Sequence, residues 1–196
     1  MEIAVVYALL EGGLWSYGGA QAVWALALAA WIMATTLLSR RSARDLGLTA
    51  AGFWPSLWVV GAALLLGGVF VLAGWVNGSL RPLHSTPLWR SMLYVLWALI
   101  QEFITQSFIF VRLELVFRSR WRAVSCTALL FSAAHIPHPV LVPGTFVLAI
   151  ALTWLFSRYR NLYTLAMAHA VLGLALGATL PQAWLRHMRV GIAYWL

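Results

Sequence analysis

The sequence predicts an all-α fold, a polytopic integral membrane helical bundle of about seven or eight transmembrane helices in one domain, residues 1–196. Three observations predict it. The chain is 63% hydrophobic and 9% charged, with mean hydropathy +0.86, more apolar surface than a soluble domain has interior to absorb. Its apolar residues fall into runs at 3–18, 20–39, 54–77, 91–113, 122–136, 139–157 and 162–180. The arginines sit almost entirely in the short connectors between those runs, where topology signals belong.

Taken in order, the first run carries Glu11 and several glycines and is the weakest span. The second and third are long and uncharged, and Trp15, Trp54, Trp58, Trp75, Trp89 and Trp121 fall near run ends as an aromatic belt does. The connector Asn77–Arg90 is the longest polar stretch and reads as an extracytoplasmic loop. The fourth run is interrupted by Gln101, Glu102 and Gln106. The fifth is short, a half-buried or broken helix, and Pro137 and Pro139 end it. The sixth and seventh are again long enough to span. The tail from Gln182 to Leu196 mixes Arg186 and Arg189 with Trp184, Tyr194 and Trp195, the composition of a short interfacial helix.

If the runs alternate in direction, Arg40, Arg41, Arg44, Arg118, Arg120, Arg122, Arg158 and Arg160 share one face. Only Arg81, Arg90, Arg186 and Arg189 lie on the other, so the first face is cytoplasmic. The +8 formal charge does not indicate nucleic acid, because these arginines are dispersed rather than gathered on one face. All thirteen basic residues are arginine, a composition from which no mechanism follows. The single cysteine, Cys126, excludes an intrachain disulfide and reads as a small buried hydrophobe. Met1-Glu2 lacks the positive start of a cleavable signal peptide.

Chemistry concentrates in three places. Glu102 is a carboxylate in the middle of a spanning run, where a charge is costly and persists when it faces a protein interior or wet cavity. Gln106 lies one turn further on the same face, and Gln101 borders the same cavity. His135 follows Ser132-Ala133-Ala134, and His169 sits within Ala166-Met167-Ala168-His169-Ala170; small neighbours let each imidazole approach another helix. His138 reads as a histidine at the interface, just beyond the fifth run. A polar seam between helices would account for the glutamines, but neutral groups would make that seam more cheaply than Glu102. A glutamate and two histidines can activate water with a general base, hold a zinc ion with one open position, or relay protons. No His-Glu-x-x-His helix is present to favour zinc.

The three stretches resemble the motifs of the CPBP/ABI family of intramembrane proteases, the group that contains the Rce1-type CAAX endopeptidases. Its Glu-Glu-x-x-x-Arg motif corresponds to Gln101, Glu102 and Gln106; its Phe-x-x-x-His motif is matched by Phe131 and His135. Its third motif centres on a histidine, matched by His169, with Gly173 where an asparagine is common. The resemblance spans about residues 91–180 and implies a family-like catalytic core there. It implies an endopeptidase in which Glu102 activates water while His135 and His169 position that water or stabilise the oxyanion. Gln101 belongs to the same catalytic group, and Gln106, Phe131, His138 and Gly173 would support it or bind substrate.

The expected mechanism is metal-free, with no cofactor; zinc is the alternative. The expected partners are a membrane-anchored protein or peptide substrate and the lipid bilayer, not nucleic acid. The expected setting is the bacterial inner (cytoplasmic) membrane, and the expected task is removal of C-terminal sorting signals from exported precursors. Gln101, Gln106 and Gly173 depart from the family pattern and bear on catalytic competence. The alternative is a catalytically inactive relative that binds peptides or confers bacteriocin immunity.

Overall fold

The computed structural model describes residues 1–81 and 87–196. Each of the seven apolar runs is helical, as lipid requires of a backbone that has no water to bond. They form α1 (Glu2–Leu14), α2 (Gly19–Leu38), α3 (Phe53–Val76), α4 (Leu88–Glu102), α5 (Val111–Val116), α6 (Arg120–Ala133), α7 (Leu141–Tyr159) and α8 (Leu162–Thr179). Between α4 and α5 the helix continues as a π-helical segment, Phe103–Phe110, so that Leu88–Val116 is one span of 29 residues. Among the described residues five helices are long and apolar enough to cross a membrane: α2, α3, the Leu88–Val116 span, α7 and α8. α1 and α6, with 13 and 14 residues, are shorter. The chain is a multi-pass membrane protein. Part of the Asn77–Arg90 connector, residues 82–86, lies outside the described residues, and α4 already begins at Leu88.

α8 is the central element. α3 packs along one side of it and α4 along another. Small residues set the approach: a Cβ on Gly74 would come within 2.9 Å of Thr179, and one on Gly67 within 3.4 Å of Ala175. α6 pairs with α7, and α2 packs on α1 with Ile32 its one buried residue. The core gathers round the π-helical segment, where Phe108 and Phe110 are fully buried beside Phe156 and Leu162. Cys126 is half-buried against this core.

The two ends of the bundle differ. At one end Arg160 pairs with Glu114 and reaches the Asp45 carbonyl, while Arg112 pairs with Glu2. The Ser107 hydroxyl donates to the Leu46 carbonyl at 2.6 Å. The connectors with Arg40–Arg44, Arg118–Arg122 and Arg158–Arg160 therefore share this end, as alternation of the runs predicts. At the opposite end the Arg81 amide donates to the Ala178 carbonyl, and the Gly191 amide to the Ile136 carbonyl, both at 2.9 Å.

Asn161 ties the first end together. Its Oδ1 accepts from the Thr164 amide at 3.1 Å and so caps α8, while its Nδ2 donates to the carbonyls of Thr49 and Ala51. The side chain is fully buried. Asn161→Ala is expected to cost about 2 kcal/mol, the loss of a cap and of a buried carbonyl's donor, read as a fall in melting temperature in detergent.

The tail differs from the expected interfacial helix. It is a four-residue turn, α9 (Gln182–Leu185), followed by short 3-10 turns at Arg186–Met188 and Gly191–Trp195. Leu185 and Gly191 are buried while Trp184 and Trp195 are exposed. The tail folds onto the turn after α6, where the Ile136 carbonyl accepts from the Gly191 amide, and onto the Leu14 end of α1. Gly191, at φ +57°, lies so close to the Leu14 carbonyl that a Cβ would be 2.3 Å from that oxygen.

Candidate active site

Glu102 is the last residue of α4, at the point where the α-helical pitch gives way to the π-helical segment. Such widened turns often occur at functional sites, because the extra residue per turn re-aims the side chains around it. Glu102 is 2% exposed. One carboxylate oxygen, Oε1, accepts from Nδ1 of His169 on α8 at 2.8 Å; the other, Oε2, accepts from Nε2 of Gln106 at 3.0 Å. The pairing of Glu102 with Gln106 follows from the four-residue spacing, one turn along one face. The pairing with His169 joins positions 67 apart in the chain.

With Nδ1 spent on the carboxylate, His169 keeps Nε2 as its free ring nitrogen. His135 is in the same condition for a different reason. It lies just beyond α6, whose last carbonyls have no helical partner. Its Nδ1 donates to the Phe131 carbonyl at 2.7 Å, and a carbonyl can only accept, so Nε2 is the free nitrogen. The Phe131 ring stacks 4.9 Å from His135 and meets His169 edge-on at 5.9 Å. The Phe-x-x-x-His spacing thus has a physical content: the phenylalanine supplies a carbonyl to one imidazole and a ring that spaces the two.

Both imidazoles line a cavity of about 730 Å³ whose wall also includes Tyr94, Gln101, Phe131 and Gly173. Apart from Tyr7, Thr105 and Thr145 the rest of the wall is mainly apolar, and it includes residues of α1, α3, α7 and the tail. Glu102 lies behind this wall and reaches the cavity through His169. A second apolar cavity of about 870 Å³ lies between α1, α2 and α4; Leu10, Trp97, Ile104 and Met188 border both.

Of the sequence-predicted residues, Glu102, His169, Gln106, His135, Phe131, Gln101 and Gly173 come together here. His138 does not. It was expected at the interface and is instead fully buried. Its Nε2 donates to the Leu185 carbonyl at 2.8 Å, and its Nδ1 accepts from the Leu141 amide at 3.1 Å. It therefore caps the start of α7 and holds the tail. It is away from the cavity because both nitrogens serve backbone groups.

The zinc alternative finds no three-ligand cluster of His, Cys, Asp or Glu among the described residues. Glu102 and His169 are bonded to each other, and His135 is turned onto its own helix end. Sequence reasoning missed Tyr94, which stands seven residues before Gln101, two turns along α4 and hence on the same side. A phenol on the same helix side as the polar seam was the available signal.

Residues 84–175 match the family model described as type II CAAX prenyl endopeptidase Rce1-like. Among curated proteins and solved structures, none matches the chain. The matched residues, just under half of the chain, hold Glu102, His135 and His169, and over them the chain is similar to the Rce1-like endopeptidases.

Proposed function

We propose that this chain is an intramembrane endopeptidase in which the Glu102–His169 pair takes the proton of an attacking water. The single observation that carries the reading is the 2.8 Å bond between a fully buried carboxylate and an imidazole on the wall of an apolar cavity. A carboxylate fixed to Nδ1 orients the ring and turns Nε2 to the cavity as an acceptor, the arrangement general-base catalysis needs. His135, whose free Nε2 is an acceptor, would orient the same water. Gln106 holds the second carboxylate oxygen, so Glu102 cannot rotate away from His169.

The substrate is a membrane-anchored polypeptide with an apolar segment, because the walls around the polar cluster are aliphatic and aromatic. The arginine-rich end of the bundle faces the cytoplasm. The C-terminal signals of exported bacterial precursors, an apolar helix followed by a basic tail, have this character. The reaction needs no metal in this reading. The departures at Gln101, Gln106 and Gly173 favour one second reading, a peptide-binding relative without catalysis, such as an immunity protein.

The test uses purified protein in proteoliposomes with two quenched-fluorescent probes. One is an unprenylated peptide with an apolar helix of about 20 residues and a basic tail; the other is a farnesylated peptide ending in a CAAX sequence. Cleavage of the first, absent in Glu102→Gln, is the expected result. Cleavage of the farnesylated probe alone moves the substrate to the CAAX class. Product seen only in Gln101→Glu assigns a missing acid to position 101. Binding without cleavage by every variant gives the protein to the non-catalytic class.

A further inference from the structure

We infer that Tyr94 is the oxyanion donor of this site. The inference rests on the endopeptidase reading above and adds a residue that touches the reacting atoms. Tyr94 stands on α4 and Gly173 on α8, and the two are in unusually close contact. An ideal Cβ at Gly173 would lie 1.8 Å from the Tyr94 hydroxyl oxygen and 2.6 Å from its Cζ. The phenol tip therefore occupies the volume that any side chain at 173 would need. Gly173 is also four residues after His169, one turn along the same face of α8. The hydroxyl thereby stands over α8 one helical turn beyond the residue that Glu102 holds.

Tyr94, His169, His135 and Gly173 all line the same cavity. Among the described residues no hydrogen-bond partner is found for the Tyr94 hydroxyl, although a phenol packed against another helix normally has one. A donor so placed beside a base, in an apolar cavity, has the attributes of transition-state stabilisation: it is preorganised, and little water competes with it.

The step balances as follows. Water oxygen attacks the carbonyl carbon and its proton passes to the Glu102–His169 pair. The π electrons of the carbonyl move to its oxygen, which becomes the oxyanion and accepts a hydrogen bond from the Tyr94 hydroxyl. On collapse the C–N bond breaks, and the nitrogen leaves with the proton held by the pair. Tyr94 keeps its proton throughout, and the products are a carboxylic acid and an amine.

The experiment is steady-state cleavage of the unprenylated apolar-helix probe by the full chain in proteoliposomes. Tyr94→Phe keeps the ring against Gly173 and removes the donor alone. The expected result is a fall in kcat of about 10²-fold with KM unchanged, the usual loss for one oxyanion donor. Affinity for a phosphinate analogue of the probe, which carries a tetrahedral anionic centre, falls in step with kcat, which a purely structural role would not produce. Gly173→Ala, by displacing the phenol, lowers kcat similarly, and the double variant falls no further than the worse single. Undiminished kcat in Tyr94→Phe, with cleavage still dependent on Glu102, overturns the donor role and leaves the endopeptidase reading intact. A raised KM with unchanged kcat makes Tyr94 a substrate contact and also overturns it. Absence of cleavage by the unsubstituted chain for both probes overturns the endopeptidase reading, and the donor role with it.

Discussion

Glu102→Gln is expected to lower cleavage of the apolar-helix probe by roughly 10³- to 10⁴-fold while the chain stays folded. The substitution keeps the side-chain volume and a carbonyl oxygen that can still accept from His169 Nδ1. It replaces the carboxylate with an amide, which is no base, so the pair can no longer take a proton from water. Stability should not fall with it, because a charge buried to 2% exposure is replaced by a neutral amide. Glu102→Ala makes the useful contrast. It also leaves Gln106 Nε2 and His169 Nδ1 without their acceptor, so it should cost both activity and melting temperature. Turnover measured beside a melting curve separates the two effects. Undiminished turnover in Glu102→Gln would remove Glu102 from the reaction.

The second large effect concerns a backbone position remote from the chemistry. Gly52 precedes α3 with φ +79°, and a Cβ there would lie 2.0 Å from the carbonyl oxygen of Tyr159. Gly52→Ala therefore meets two penalties at once. The left-handed conformation costs an alanine about 1 kcal/mol or more, and the neighbour in the way is backbone, which has no alternative rotamer. The α7–α8 junction must move, and with it Asn161, whose Nδ2 reaches the carbonyls of Thr49 and Ala51 just before Gly52. A loss of roughly 3 kcal/mol or more is expected, seen as a lower melting temperature and a shorter active lifetime in detergent. Activity at low temperature should also fall, since α8 starts at Leu162 and carries His169. Gly61→Ala in α3 serves as the control. Nothing lies within 4 Å of a Cβ there, so it should be neutral or slightly stabilising.

How much of this was legible beforehand differs by residue. The helices of the bundle were readable because hydropathy in a lipid solvent is a property of each segment alone. α3, α7 and α8 lie within three residues of the apolar runs that predict them. The gathering of arginine-bearing connectors at one end was readable for the same reason. Glu102, His135 and His169 stood out because an ionisable group inside an apolar run needs a reason to be there. The tail was misread, and the burial of His138 was not legible. The tail's composition suits an interface, but its path follows the Ile136 carbonyl that accepts from Gly191 and a close approach to Leu14, which no local pattern reveals. His138 is a loop histidine between α6 and α7, but its Nε2 donates to the Leu185 carbonyl, 47 residues on, which no local pattern reveals.

The sequence by itself determined that the chain is an all-helical membrane protein with a glutamate and two histidines inside its later apolar runs. Those features depend on residue type and on spacing along one segment. Only the tertiary structure decided that Glu102 bonds His169 rather than His135, that the helix widens after Glu102, and that the Tyr94 hydroxyl fills the space over Gly173. Each depends on how one helix is rotated and how closely it approaches another. Those quantities are settled by packing between segments many residues apart, where a few tenths of an ångström separate a hydrogen bond from a clash.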